Sequence, residues 1–281
     1  MRSLVALLLD AYQRFLDDDG WAIASHIALT GLTSLFPFLI FFTALAGTFG
    51  SKELADEAAR ILFDSWPEKV GTPIILEVRN VLGQPHGGVL TFGGVLALYF
   101  ASNAVEALRT GLNRAYDRVE TRSWWLLRLE AIAFVLLGAL ALLTLAFGVV
   151  LGPLIFAAVE RYVPGIEPLR QTYTLSRLTL AALVLILTLV VVHKYLPAGR
   201  RSLRTIAPGV AFTILCSLAA GEAFGAYLAR FSESYISTYA GLASVMIALV
   251  FLYWMSAIFV FGGEINTAIE VARSAREKSR E

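Results

Sequence analysis

The sequence predicts an all-α polytopic membrane protein: six transmembrane helices, an N-terminal interfacial helix, and two short amphipathic helices between spans 1 and 2. Three observations predict it. Of 281 residues, 57% are hydrophobic and 16% charged, against roughly 45–50% and about 25% in soluble domains, and mean hydropathy is +0.69. Six apolar stretches reach the roughly 20 residues that a helix needs to cross about 30 Å of hydrocarbon. Lys and Arg are spread unevenly among the connections, as a fixed orientation in the membrane requires. The net charge of +1 is too small for a nucleic-acid surface, so no nucleic-acid partner is expected.

In chain order, residues 1–26 open on an apolar run of only six, LVALLL, before Asp10, and no small-residue cleavage site follows. A cleaved signal is therefore not expected. Leu4, Leu8, Tyr12 and Phe15 recur at helical spacing, which fits a cytoplasmic helix lying on the membrane surface or one packed beneath the bundle. The membrane domain covers residues 27–269, with spans at about 27–49, 88–108, 129–158, 175–195, 206–228 and 239–269. Spans 3 and 6 exceed the minimum length and must tilt or extend beyond the bilayer. Between spans 1 and 2, residues 52–66 gather apolar side chains on one helical face, and residues 73–84 gather them on another after the breaks at Pro67 and Pro73. They read as external amphipathic helices that cap the bundle or meet a periplasmic or membrane protein partner. Residues 270–281 form a basic, flexible cytoplasmic tail. Of the 23 Lys and Arg, 15 fall in residues 1–26, 109–128, 194–205 and 270–281, which places both termini in the cytoplasm and the protein in a bacterial inner membrane. The single cysteine, Cys216, excludes an internal disulfide.

Polar residues inside the spans are the candidates for function, because lipid tolerates them only where they face other helices or water. In span 1, His26, Thr30, Thr33, Ser34 and Pro37 share one helical face, and Pro37 is expected to kink the helix. Ser and Thr in such a stripe commonly bond their own backbone. In span 2, Asn103, Glu106, Arg109 or Thr110, and Asn113 share a face, followed by Arg114. Span 6 ends in GGEIN, where Gly262 and Gly263 permit close helix approach and Glu264 and Asn266 follow at once. All three groups arrive at the same cytoplasmic depth. The expectation is a cytoplasm-facing polar vestibule, a substrate- or ion-binding site of His26, Asn103, Glu106, Arg109, Asn113, Arg114, Glu264 and Asn266; the same residues can instead do no more than bond helices together. Glu222 is a second intramembrane acid, toward the outer leaflet, with Arg230 two turns later.

The stretches DGWAIASHIALTGLTSLFPFLI, ASNAVEALRTGLNRAYD and YWMSAIFVFGGEINTAIE resemble the YihY/BrkB family of bacterial inner-membrane proteins, once labelled ribonuclease BN. The resemblance extends over nearly the whole chain in span number and loop length. It implies six helices, association with envelope integrity, and movement of anionic lipids or ions. It does not supply a catalytic signature. Metal-dependent RNA cleavage needs clustered histidines and carboxylates, and His26, His86 and His193 are isolated in the sequence. No metal, no cofactor and no enzymatic activity are expected, and no glycine loop that would cradle ATP phosphates is present.

Three functions fit. The leading one transports or flips an anionic lipid or other amphiphile, with Arg109 and Arg114 meeting the head group and membrane lipids as partners. A scaffold would instead recruit a partner through the external helices. A cation/proton antiporter would use Glu106, Glu264 or His26 as carriers. Small residues in span 6 permit a homo-oligomer as readily as packing within one chain.

Overall fold

A computed structural model of the chain describes residues 4–49, 87–145, 148, 152, 156, 159, 169–239 and 242–278. Every regular element among them is helical: α1 (Leu4–Asp17), α2 (Gly20–Phe49), α3 (Gly87–Ala115), α4 (Trp124–Leu145), α5 (Arg170–Tyr195), α6 (Leu203–Tyr239) and α7 (Ala243–Lys278). Among the described residues, four stretches are long and apolar enough to cross a membrane: Trp124–Leu145, Arg170–Tyr195, Leu203–Phe231 and Ala243–Ala275. Helices α4 and α5 leave most of their apolar surface exposed, including Leu129, Leu136, Leu140, Leu175 and Leu183, as lipid-facing helices do. The amphipathic helices expected at 52–66 and 73–84 lie outside the described residues. Helix α7 continues to Lys278, past the expected end of the last span, through good helix formers.

The chain forms two compact units: Met1–Asp18, Leu112–Ser217 and Phe259–Glu281 make one, and Asp19–Gly111 with Leu218–Ile258 make the other. In the first unit, α1 buries Ala11 and Phe15 against Ile265 and Ala268 of α7. The ring of Phe15 stands edge-on to Phe261 at 5.7 Å, and Phe212 of α6 adds a second contact to Phe261 at 5.3 Å. Helix α4 packs along α5. Helix α3 ends in a closing turn in which Arg118 N–H donates to the Asn113 carbonyl (2.8 Å) and Asp117 N–H to Arg114 (2.9 Å). Asp117 takes the left-handed conformation, φ +51°, at the position where glycine usually ends a helix; its carboxylate accepts from Arg14 Nη1 of α1 at 3.3 Å.

In the second unit, Ser34 of α2 lies 2.7 Å from the carbonyls of both Thr30 and Phe100, the latter on α3. Thr33 donates to the Thr30 carbonyl. The span-1 hydroxyls thus serve backbone acceptors, one within α2 and one on its neighbour. Pro37 stands inside α2 and offers no N–H to the Thr33 carbonyl. Trp21 stacks on Tyr253 at 6.0 Å and meets Trp254 edge-on at 6.1 Å, joining the start of α2 to α7.

Candidate functional site

The site in the first unit grows from the run GGEINTA of α7, in which Gly262 through Ala268 are all buried. A side chain on Gly209 of α6 would run into the Gly262 carbonyl and come within 2.6 Å of Asn266 Cγ. One on Gly263 would come within 2.9 Å of Ala115 Cβ at the end of α3. The glycine pair therefore admits α6 on one side and the end of α3 on the other. Asn266 and Thr267, one turn later, fall between them.

Asn266 is the hub. Its Oδ1 accepts from the Gly209 backbone N–H at 2.7 Å, and its Nδ2 donates to the Tyr116 hydroxyl at 2.9 Å. Only oxygen can face the Gly209 N–H, so the amide orientation is fixed by chemistry. Having accepted from Asn266, Tyr116 turns its own proton to His193 Nδ1, 2.8 Å away, which leaves the proton of the neutral ring on Nε2. Burial pushes the Tyr116 hydroxyl up to about 12, against the opposing pull of Asn266 and Arg201, so it remains a donor. Thr267 ties the same layer to α3 by donating to the Ala115 carbonyl at 2.6 Å. One polar chain thus links α3, α5, α6 and α7.

Glu264 is fully buried, and neither carboxyl oxygen has a hydrogen-bond partner of ordinary geometry among the described residues. The charged groups acting on it are Asp18, Asp117 and, with opposite sign, Arg14. The Asp18 carboxyl is itself raised, by burial first and by Asp117 second. Such an arrangement can accept a proton or a cation.

A second cluster surrounds the α5–α6 connection. Asn113 accepts from Ala198 N–H at 2.7 Å through Oδ1 and donates to Glu120 at 3.1 Å through Nδ2. Arg122 binds Glu120 (2.8 Å), Glu130 (2.6 Å) and the Leu196 carbonyl (3.0 Å). The Arg122 guanidinium, followed by the Asn113 bond, holds the Glu120 carboxyl down to about 2 against the effect of burial. Arg201, also buried, lays its guanidinium 3.9 Å from the centre of the Tyr116 ring and donates from Nη2 to the Ala198 carbonyl at 3.1 Å. Thr121, Arg122, Lys194, Tyr195 and residues 197–201 line a cavity of about 460 Å³, within the roughly 300–1,000 Å³ usual for ligand sites.

Of the residues expected from the sequence, the first unit contains Asn113, Arg114, Glu264 and Asn266. Arg114 reaches the Asp18 carbonyl at 3.5 Å. The second unit contains His26, Asn103, Glu106, Arg109 and Glu222. Within it Arg109 is buried and Asn103 and Glu106 are half-buried, whereas His26 and Glu222 are exposed. Sequence reasoning missed Tyr116, His193, Gly209, Thr267 and the cavity at 194–201. Tyr116 lay within a quoted motif and His193 among the isolated histidines, but the partnership of residues 77 positions apart has no local signature.

The model of the virulence factor BrkB family matches residues 11–281. The chain belongs to this family. Among relatives of this BrkB family member, YfkH of Bacillus subtilis (strain 168), named as a ribonuclease-like protein, is 27% identical over 269 residues, covering 94% of this chain and 95% of the relative. The UPF0761 membrane protein RC1_0578 of Rhodospirillum centenum is 25% identical over 277 residues, 97% of this chain but 59% of the relative. No solved structure matches. Among the described residues of this BrkB family chain, no group of three or more His, Cys, Asp or Glu could hold a metal ion.

Proposed function

We propose that this BrkB family membrane protein serves envelope integrity in the bacterial inner membrane by moving an anionic lipid or other amphiphile between leaflets. In this reading the chain crosses the membrane six times, with both termini and the basic connections on the cytoplasmic side. The observation that carries the reading is the cavity beside the α5–α6 connection, where Arg and Lys side chains crowd a space of ligand size next to a buried polar chain. Cations at the end of apolar helices meet a charged head group, while α4 and α5 offer apolar surface to its tails. Arg114, in the same unit as the cavity, adds a further cation for the head group, and the reading needs no enzymatic step.

Reconstitution tests it. Purified protein in phosphatidylcholine vesicles carrying fluorescent phosphatidylglycerol should expose the inner-leaflet label to a membrane-impermeant quencher faster than protein-free vesicles do. Arg109→Ala and Glu106→Gln should slow it. A wild-type rate equal to that of empty vesicles removes lipid movement from consideration. Glu264 supports a second reading, cation/proton exchange, because a fully buried carboxyl facing the acids Asp18 and Asp117 is a natural proton carrier. That reading requires a pH-dependent sodium or potassium flux abolished by Glu264→Gln.

A further inference from the structure

The segment LPAGRRS, residues 196–202, joins α5 to α6 and is held at three points. The Leu196 carbonyl accepts from Arg122, the Ala198 N–H donates to Asn113, and the Ala198 carbonyl accepts from Arg201. Leu196, Pro197 and Ala198 are buried, and Gly199 supplies the turn at φ +90°, which an L side chain rarely adopts. A connection so anchored fixes the backbone from which Arg200 and Arg201 project, and both line the cavity.

The charges there do not cancel. The acids Glu120 and Glu130 are both engaged by Arg122. Lys194, Arg200 and Arg201 have no carboxylate within ion-pair distance among the described residues. Lys194 lies over the Tyr195 ring at 4.9 Å. Arg118 and Glu270 act on Arg201 from a distance with opposite signs. Arg201 is 92% buried, since 8% of it remains exposed, and its Nη1 has no acceptor among the described residues. A buried guanidinium nitrogen without an acceptor is an uncommon arrangement in a folded protein, and it leaves the Arg201 charge uncompensated beside the cavity.

We infer that this cavity binds a phosphate group through Arg200, Arg201 and Lys194. Phosphate fits better than carboxylate because the donors come from separate elements, the end of α5 and the following connection, with the Thr121 hydroxyl from before α4. A tetrahedral dianion accepts from several directions at once, whereas a carboxylate is satisfied by one planar fork. The volume exceeds a bare phosphate ion, so a phosphate monoester on a larger molecule also fits. The role of the site as a head-group site rests on the transport reading; its chemistry does not.

The test uses the full-length protein in nanodiscs. Inorganic phosphate is titrated by calorimetry into phosphatidylcholine discs, with chloride as the control anion. A second arm compares discs of phosphatidylcholine alone with discs containing phosphatidic acid, and measures retained phosphatidic acid by mass spectrometry after purification. The paired variant Lys194→Gln with Arg200→Gln alters side chains that no hydrogen bond or ion pair among the described residues ties to the fold, and should weaken either ligand at least tenfold. Arg201→Gln is scored beside it with its thermal stability, because Arg201 also covers Tyr116. Binding of phosphate alone assigns the site to a soluble anion, and enrichment of phosphatidic acid alone assigns it to a lipid head group; both support the inference. Phosphate no better than chloride with no lipid enrichment, or binding unchanged in the paired variant, overturns it. Phosphate binding without any flipping leaves this site standing and removes the transport reading, whereas flipping by a protein that binds neither phosphate nor phosphatidic acid removes this site and leaves the transport reading standing.

Discussion

Replacing Gly209 by alanine is the sharpest test of how the first unit is built. An added methyl would meet the Gly262 carbonyl and lie 2.6 Å from Asn266 Cγ, about 1 Å inside the 3.5–4.0 Å of an ordinary carbon contact. Relief requires α6 and α7 to part by a similar distance, which breaks the 2.7 Å bond from Gly209 N–H to Asn266. Overpacking costs about 1–3 kcal/mol, and a buried donor and acceptor left unmatched cost a further ~1–3 kcal/mol. Alanine recovers about 1 kcal/mol of helix propensity, which leaves a net loss of roughly 1–5 kcal/mol. Helix α6 contains its own control, because a methyl on Gly221 meets nothing within 4 Å. There the same change should be neutral or stabilising by up to ~1 kcal/mol. Both variants are compared with wild type by denaturant titration in mixed micelles, followed by tryptophan fluorescence. Should Gly209→Ala and Gly221→Ala differ by less than about 0.5 kcal/mol, the ordinary scatter of silent substitutions, the close α6–α7 contact is wrong.

Two further outcomes follow from the polar groups. Asn266→Ala leaves the Gly209 N–H and one lone pair of Tyr116 unmatched and should cost about 2–4 kcal/mol in the same titration; a loss below ~0.5 kcal/mol would mean that water or a different rotamer replaces the amide. Glu120 titrates near 2 in the folded chain against an ordinary 4.5. A depressed carboxyl contributes stability that is fully present above its unfolded value and lost as pH falls through the folded one. Wild type should therefore weaken between pH 4.5 and 2 more than Glu120→Gln does, and parallel stability curves in that window would contradict the Arg122 clamp.

The sequence exposes the parts of this architecture whose signals are local. Gly262, Gly263 and Asn266 lie within five residues, and their helical spacing alone marks a close contact with a polar group beside it. The hydroxyls of Thr33 and Ser34 bond backbone carbonyls, as such residues do when left to themselves. In α1, Ala11 and Phe15 are buried on the flank that packs on α7 while Leu8 and Tyr12 are exposed, a division between two apolar flanks that the periodicity alone does not contain. The cavity was illegible for a different reason. Lys194, Arg200 and Arg201 have the composition of a cytoplasmic topology signal, and a cation that anchors a loop is written with the same letters as one that faces a ligand. Arg201 differs only in being buried over Tyr116, a relation spanning 85 positions that no window of sequence contains.

The amide of Asn266 has a consequence for biogenesis. In lipid, helices gain little from hiding apolar side chains from one another, so rotational setting must come from matched polar groups. Asn266 accepts from one neighbour and donates to another, and turning its helix by a single residue would strand both partners. It belongs to α7, which the ribosome produces after the other described helices. Until that segment enters the bilayer, Tyr116 and the Gly209 amide have no mate on it. Completion of this half of the molecule is therefore a late, post-insertion event, with the C-terminal helix acting as the key that sets the others in place.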